Sequence, residues 1–190
     1  MQASGFVLAG GGSTRMGRNK ALLPFRGKTL VEHVAGIVRQ AAGSVTLIGD
    51  PVQLAHLALP VVPDKLPGSG PASGIYTALT ITSTDWNLIA GCDMPAITSD
   101  ILLGLLRRAA LTSNPIDCLA AAGPDGGPEP LCAVYHRRCR AAFAGAIRDR
   151  RLKMKDLLAE IGAEIMPVDP SAVANVNTPA EWAEFEAKFP

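Results

Sequence analysis

The chain has 190 residues, a formal net charge of +1, and 48% hydrophobic but only 5% aromatic residues. At about 150 residues per domain, that length predicts one domain over 1–190, with enough chain for a full core without disulfide or metal staples. A near-neutral balance excludes a broad nucleic-acid footprint, which needs a strongly basic face, so any cationic function must be local. Cys92, Cys118, Cys132 and Cys139 form no C-x-x-C pair. That excludes the usual zinc spacing and a disulfide framework, and predicts reduced, packed thiols in a cytoplasmic protein. No run reaches the roughly 18 apolar residues of a membrane span, and 6–9 is too short for the core of a secretory signal, so no membrane partner is expected.

Strand-like and helix-like segments alternate along the chain. Residues 5–9 are a continuous apolar run that predicts a buried strand. Thr29-Leu-Val-Glu32 is a capping-box pattern, and Leu30, Val34, Ile37 and Val38 follow at helical spacing. A second strand is expected at 45–48, closed by Gly49-Asp50-Pro51, then a short helix at 53–59 and a short strand at 60–63. Residues 65–73 are rich in Gly and Pro and predict a loop, with Gly74 opening a helix over 74–82. The run 86–90 predicts a strand that delivers Asp93, and Thr98-Ser-Asp100 caps a helix over 101–110. Strands at 117–121 and 131–135 flank turn chemistry at 123–128. Helices are expected at 138–149 and 153–161, and a strand at 164–168. The last helix starts at Thr178-Pro179-Ala-Glu181, with Pro at its first position and Glu at its third. This alternation predicts an α/β fold, a mostly parallel central sheet with helices on both faces. Ligand sites in such sheets form beyond the carboxyl ends of strands, where both the segment after 5–9 and Asp93 fall.

The segment Leu8-Ala-Gly-Gly-Gly12-Ser-Thr-Arg15-Met-Gly-Arg-Asn-Lys20 carries the chemistry. Gly10, Gly11 and Gly12 remove side chains where the backbone must approach a ligand and point its N–H groups at it. Arg15 and Lys20, at fixed offsets, suit a polyanion, and a nucleoside triphosphate meets both demands. Asp93, in Gly91-Cys-Asp-Met-Pro95, supplies a ligand for Mg²⁺. The loop is neither of two familiar phosphate loops. G-x-G-x-x-G fails at Arg15, and G-x-x-x-x-G-K-[ST], starting at Gly12, fails at Arg18-Asn19.

Leu-Ala-Gly-Gly-x-x-x-Arg-Met-Gly-x-x-Lys resembles the signature of nucleotidyltransferases with a GT-A-like, Rossmann-like fold. Within them the chain resembles the molybdenum cofactor guanylyltransferases. The resemblance extends through Asp64, Gly70-Pro-x-x-Gly74-Ile75, Cys92-Asp-Met-Pro95, Pro130-Leu-Cys-Ala-Val-Tyr135 and Asn175-Val-Asn177-Thr-Pro179. Asn19 stands where the family often has Asp, and Ile48-Gly49-Asp50 where the second strand often ends in Asn near the guanine.

The resemblance implies transfer of GMP from GTP to the phosphate of molybdopterin, with Mg²⁺. It implies catalytic roles for Arg15, Lys20 and Asp93, and nucleotide binding by Leu8, Ala9, Gly10, Gly11, Gly12, Lys20, Asp64, Gly74 and Asp93. Asn175 and Asn177 would face the pterin, which neutral amides suit. Cofactor carriers or acceptor molybdoenzymes would be its protein partners. Arg148, Arg150, Arg151, Lys153 and Lys155 form a basic stretch that could collect an anionic pterin phosphate. Two other readings stay open: a CTP-dependent transferase acting on the same pterin or on a sugar or alditol phosphate, and a non-catalytic nucleotide-binding protein that delivers cofactor.

Overall fold

The computed structural model describes residues 2–10, 20–112 and 116–188. In chain order these form β1 (Ala3–Leu8), β2 (Pro24–Phe25), β3 (Lys28–Thr29), α1 (Leu30–Ala42), β4 (Thr46–Ile48), β5 (Val61–Val62), α2 (Gly70–Ile81) and β6 (Trp86–Gly91). There follow α3 (Ser99–Leu111), β7 (Cys118–Ala122), β8 (Pro128–His136), α4 (Arg140–Arg148), α5 (Met154–Glu160), β9 (Glu164–Met166) and α6 (Pro179–Lys188).

Among the described residues, seven strands make one sheet in the order β5-β4-β1-β6-β8-β7-β9, and β2 and β3 form a separate ribbon. β1 runs parallel to β4 and β6, β4 to β5, and β7 to β9, whereas β8 is antiparallel to β6 and β7. The mostly parallel sheet matches the expectation; the reversed β8 was not legible beforehand.

The central strands are buried on both faces, as parallel strands covered by helices must be. Val7, Leu47, Leu88 and Leu119 face one core with Val31, Val34, Leu102, Leu105 and Trp182, which come from α1, α3 and α6. Phe6, Ile48, Ile89 and Ala120 face the other with Ile75, Ala78, Phe143 and Leu157, which come from α2, α4 and α5. Adjacent residues alternate between the two cores because strand side chains have a period of two.

Local chemistry sets the helix starts. Thr29 accepts from the Glu32 N–H while Glu32 reaches back to the Thr29 backbone, so the capping box forms as the sequence predicts. Thr98 caps α3 by accepting from the Ile101 N–H.

Two expectations need correction. Residues 53–59 are not a helix, because the Asp50 carboxylate takes the Val52 N–H at 2.9 Å and the Gln53 amide at 3.0 Å, which closes a local turn. α2 begins at Gly70, four residues ahead of the predicted start, because Pro71, read as a loop former, serves the first helical turn. Gly74 therefore lies inside α2. No described helix is long and apolar enough to cross a membrane.

Candidate active site

β1 and β6 lie side by side, with Leu8 paired to Gly91, so both deliver their following residues to the same carboxyl edge. The Cys92 N–H donates to the Leu8 carbonyl at 3.2 Å and the Ala9 N–H to the Ile48 carbonyl at 2.9 Å. Leu8 and Ala9 are buried, while Gly10 emerges into solvent. Gly11, Gly12 and Arg15 lie outside the described residues.

Lys20 opens a 3-10 turn, Lys20–Leu22, anchored by the fully buried Ala21. Its ammonium lies 3.1 Å from Asp93 Oδ2, and the two side chains are only 16% and 20% exposed. The same ammonium donates to Asn177 Oδ1 at 2.8 Å and to the Val176 carbonyl at 3.4 Å. The Val176 N–H in turn donates to the Asp93 carbonyl at 2.9 Å.

Asn177 is positioned by the start of α6. Glu181 accepts from the Asn177 and Thr178 N–H groups, and Thr178 accepts from the Glu181 N–H. This is the box that Thr178-Pro-Ala-Glu181 predicts. Lys20, Asp93 and Asn177, 157 residues apart at the extremes, thus meet at one point.

The other expected site residues sit around or beyond this point. Asp64 follows β5, and its Oδ1 accepts from the Leu66 N–H (3.1 Å), from Thr77 Oγ1 (3.1 Å) and from Ser73 Oγ. Ser73 and Thr77 are buried, so this carboxylate fastens the loop after β5 onto α2. Gly74 is buried against Leu8, whose Cδ1 would be 2.8 Å from an added Cβ, and so lets α2 close on β1. Asn175 is exposed on the loop that leads to Asn177. The basic stretch is largely neutralised by neighbours: Arg148 pairs with Asp149, Arg151 with Glu160, Lys153 with Asp156 and Lys155 with Asp125.

Burial, and then the Asp93 carboxylate, push the Cys92 thiol up to about 12. Cys92 is therefore a packed neutral thiol and no nucleophile.

Two residues of the site escaped the sequence reading. Because β8 is antiparallel, its first residues lie at the carboxyl edge of β6. Glu129 is there, half-buried, accepting from the Leu131 N–H at 3.1 Å. Burial raises its carboxyl above the usual range, with the Asp93 charge adding to the effect.

A carboxyl raised in the folded state binds its proton more tightly there than in the unfolded chain. Stability therefore falls as pH rises above 4.5, the ordinary value, through the raised one. Glu129→Gln is expected to raise the melting temperature at pH 7 and flatten its fall above pH 4.5 in the metal-free protein. Thermal melts at several pH values check this.

Gly91 is the second. A Cβ there would stand 2.7 Å from Asp93 Oδ1 and 3.2 Å from Leu131 Cβ. Gly91→Ala is expected to displace the Asp93 carboxylate and lower the nucleotidyl transfer implied by the sequence at least about tenfold, with little change in secondary structure, since misplacement of a reacting or positioning group by about 1 Å can cost about a hundredfold in rate. Initial rates alongside circular dichroism read both.

A strand end that the sequence continues into glycines, a lysine and a carboxylate gather at the carboxyl edge of an α/β sheet, which is where nucleotide-using α/β enzymes place their sites. The MobA-like NTP transferase domain, as a family model, matches residues 5–165. A probable molybdenum cofactor guanylyltransferase of Deinococcus radiodurans is 34% identical, covering 96% of this chain and 93% of its own. Another, of Flavobacterium johnsoniae, is 30% identical over 93% of this chain and 92% of its own. The solved molybdopterin-guanine dinucleotide biosynthesis protein A of Archaeoglobus fulgidus superposes with a TM-score of 0.81 at 24% identity, covering 98% of this chain and all of its own, which shows the shared fold. The chain belongs to the MobA-like NTP transferase family and is an enzyme of the nucleotidyltransferase class.

Proposed function

We propose that the protein transfers GMP from GTP to the terminal phosphate of molybdopterin in the cytoplasm, releasing pyrophosphate and forming the guanine dinucleotide cofactor. The observation that carries the reading is the convergence of Lys20, Asp93 and Asn177 beside the glycine-led end of β1, in a chain similar to proteins named for this activity. A phosphate oxygen of molybdopterin forms the new bond to the α-phosphorus of GTP, and the bond from that phosphorus to the β-phosphate bridging oxygen breaks.

Attack of one anion on another demands alignment and charge neutralisation above all. Leu8 and Ala9 form the sheet edge against which the nucleotide lies, the Ala9 N–H staying on the Ile48 carbonyl, and the glycines that follow, Gly10 with Gly11 and Gly12, are assigned the main-chain donors. Lys20 and Arg15 neutralise the triphosphate and the departing pyrophosphate. The attacking phosphate is already ionised, so no side-chain base is needed. Asp93 Oδ2, Asn177 Oδ1 and the Val176 carbonyl form an all-oxygen donor set that fits a hard divalent cation such as Mg²⁺. When bound, that ion supplies charge neutralisation at the phosphates. Asp64 shapes the loop bordering the nucleotide, Gly74 keeps that loop's helix against β1, and Asn175 with the Asn177 amide faces the pterin. The whole of 1–190 acts as one nucleotidyltransferase domain, and the labile product passes to a carrier or an acceptor molybdoenzyme.

Incubation with molybdopterin, Mg²⁺ and each labelled nucleoside triphosphate tests the reading. GMP transfer alone is the expected result. CMP transfer alone moves the protein to cytidylyl chemistry on the same fold, and tight nucleotide binding without transfer makes it a delivery protein.

A further inference from the structure

We propose that the Lys20 ammonium and the divalent cation compete for a single seat, so that the nucleotide-free chain holds the lysine where the metal binds and metal loading turns Lys20 toward the phosphates. The inference rests on the metal role of Asp93 proposed above, and it assigns Asn177 Oδ1 and the Val176 carbonyl as metal oxygens beside Asp93 Oδ2.

Three oxygens of different kinds, a carboxylate, an amide and a main-chain carbonyl, surround one cationic atom at 3.1, 2.8 and 3.4 Å. An ordinary ion pair needs only the carboxylate. A neutral amide and a carbonyl added to one carboxylate make the donor set of a hard cation. The Val176 N–H bond to the Asp93 carbonyl, at 2.9 Å, ties the two donor segments together, so the seat is built by the fold and not by the lysine alone. The start of α6 fixes Asn177, the residue after Val176, through Glu181.

Mg²⁺ sits about 2.0–2.1 Å from its oxygens, which leaves no room for an ammonium among the same three. The described residues contain no group of three or more His, Cys, Asp or Glu that could hold a metal, and at this seat the carboxylate that meets the ammonium is Asp93.

Two consequences follow. The lysine lowers the apparent affinity for metal alone, because the competent state must first be vacated. A triphosphate gives Lys20 another anionic partner, so nucleotide and metal each strengthen binding of the other. The chain is thereby protected against loading metal without its nucleotide.

The test is Mn²⁺ titration of the nucleotide-free protein, read by the electron paramagnetic resonance of unbound Mn²⁺. Lys20→Met is expected to bind Mn²⁺ about tenfold more tightly than the wild type, equivalent to about 1.4 kcal/mol, although it loses transfer activity. An unchanged or weaker affinity in a folded Lys20→Met protein overturns the shared seat. Adding Asn177→Ala to Lys20→Met separates ligand competition from simple removal of a positive charge: the double variant should lose the tenfold gain, and full retention overturns the assignment of Asn177. Adding Asp93→Ala instead should abolish site binding. If it does while Lys20→Met shows no gain, the metal role of Asp93 stands and the exchange fails; if binding survives, both fall. Neither GTP nor molybdopterin is used, so failure of guanylyl transfer would leave this result readable.

Discussion

Asp93→Asn is expected to lower nucleotidyl transfer about a thousandfold while leaving the protein folded, the size of loss seen when a preorganised charge-stabilising group is removed. Asparagine keeps the shape and retains an oxygen that can accept from Lys20, whose ammonium still has Asn177 and the Val176 carbonyl. The Asp93 main-chain carbonyl continues to receive the Val176 N–H. The ion pair is partly exposed, so its loss costs about 1 kcal/mol, or a melting temperature about 2–4 °C lower. Initial rates with saturating nucleotide, measured beside a thermal melt, separate chemistry from folding. A variant that keeps transfer within tenfold of wild type would move the reaction away from this edge of the sheet.

Gly5→Val is expected to have the largest effect on stability and a small direct effect on the site. Gly5 lies in β1 beneath the end of α1. A Cβ there would stand 2.4 Å from the Ser44 carbonyl oxygen and 2.6 Å from Val38 Cγ1. The first contact is with backbone and Val38 is fully buried, so neither can give cheaply. Overpacking of this kind costs about 3 kcal/mol, which for a chain of this size lowers the melting temperature by about 6–12 °C. Denaturant unfolding would show a lower midpoint with an unchanged slope. Transfer activity at low temperature should survive, because Gly5 is three residues before Leu8 and faces away from the Asp93 edge toward α1.

The contrast between these two substitutions shows what a linear sequence discloses. The capping boxes at Thr29 and Thr178 and the cap at Thr98 are local chemistry, and each forms as its residues predict. The buried runs of β1 and β6 are also self-announcing, since continuous apolar residues fit only a strand covered on both faces. That the glycine-led segment and Asp93 reach the same sheet edge was legible, because each follows an apolar strand; the Lys20–Asp93 ion pair was not.

What stayed hidden was non-local. The antiparallel course of β8 depends on pairing with β6 and β7, which no residue of β8 encodes alone, and so Glu129 could not be placed beside Asp93. Gly91 reads only as the first residue of Gly91-Cys-Asp-Met-Pro95, yet its lack of a side chain is what leaves room for the Asp93 carboxylate. Asp64 reads as a nucleotide contact, and the sequence does not disclose that its Oδ1 accepts from Ser73, Thr77 and the Leu66 N–H. Pro71 misled in the other direction, because a proline that ends one helix serves equally well in the first turn of another.

The central claim is that the carboxyl edge of β1 and β6 binds a nucleoside triphosphate through a cation held by Asp93. Isothermal titration of GTP, CTP, ATP and UTP, each with and without Mg²⁺, tests it most directly when repeated on Asp93→Ala. The account predicts selective GTP binding that strengthens with Mg²⁺ in the wild type and loses that dependence in the variant. Absence of binding by all four nucleotides, or binding indifferent to both Mg²⁺ and Asp93, would contradict it.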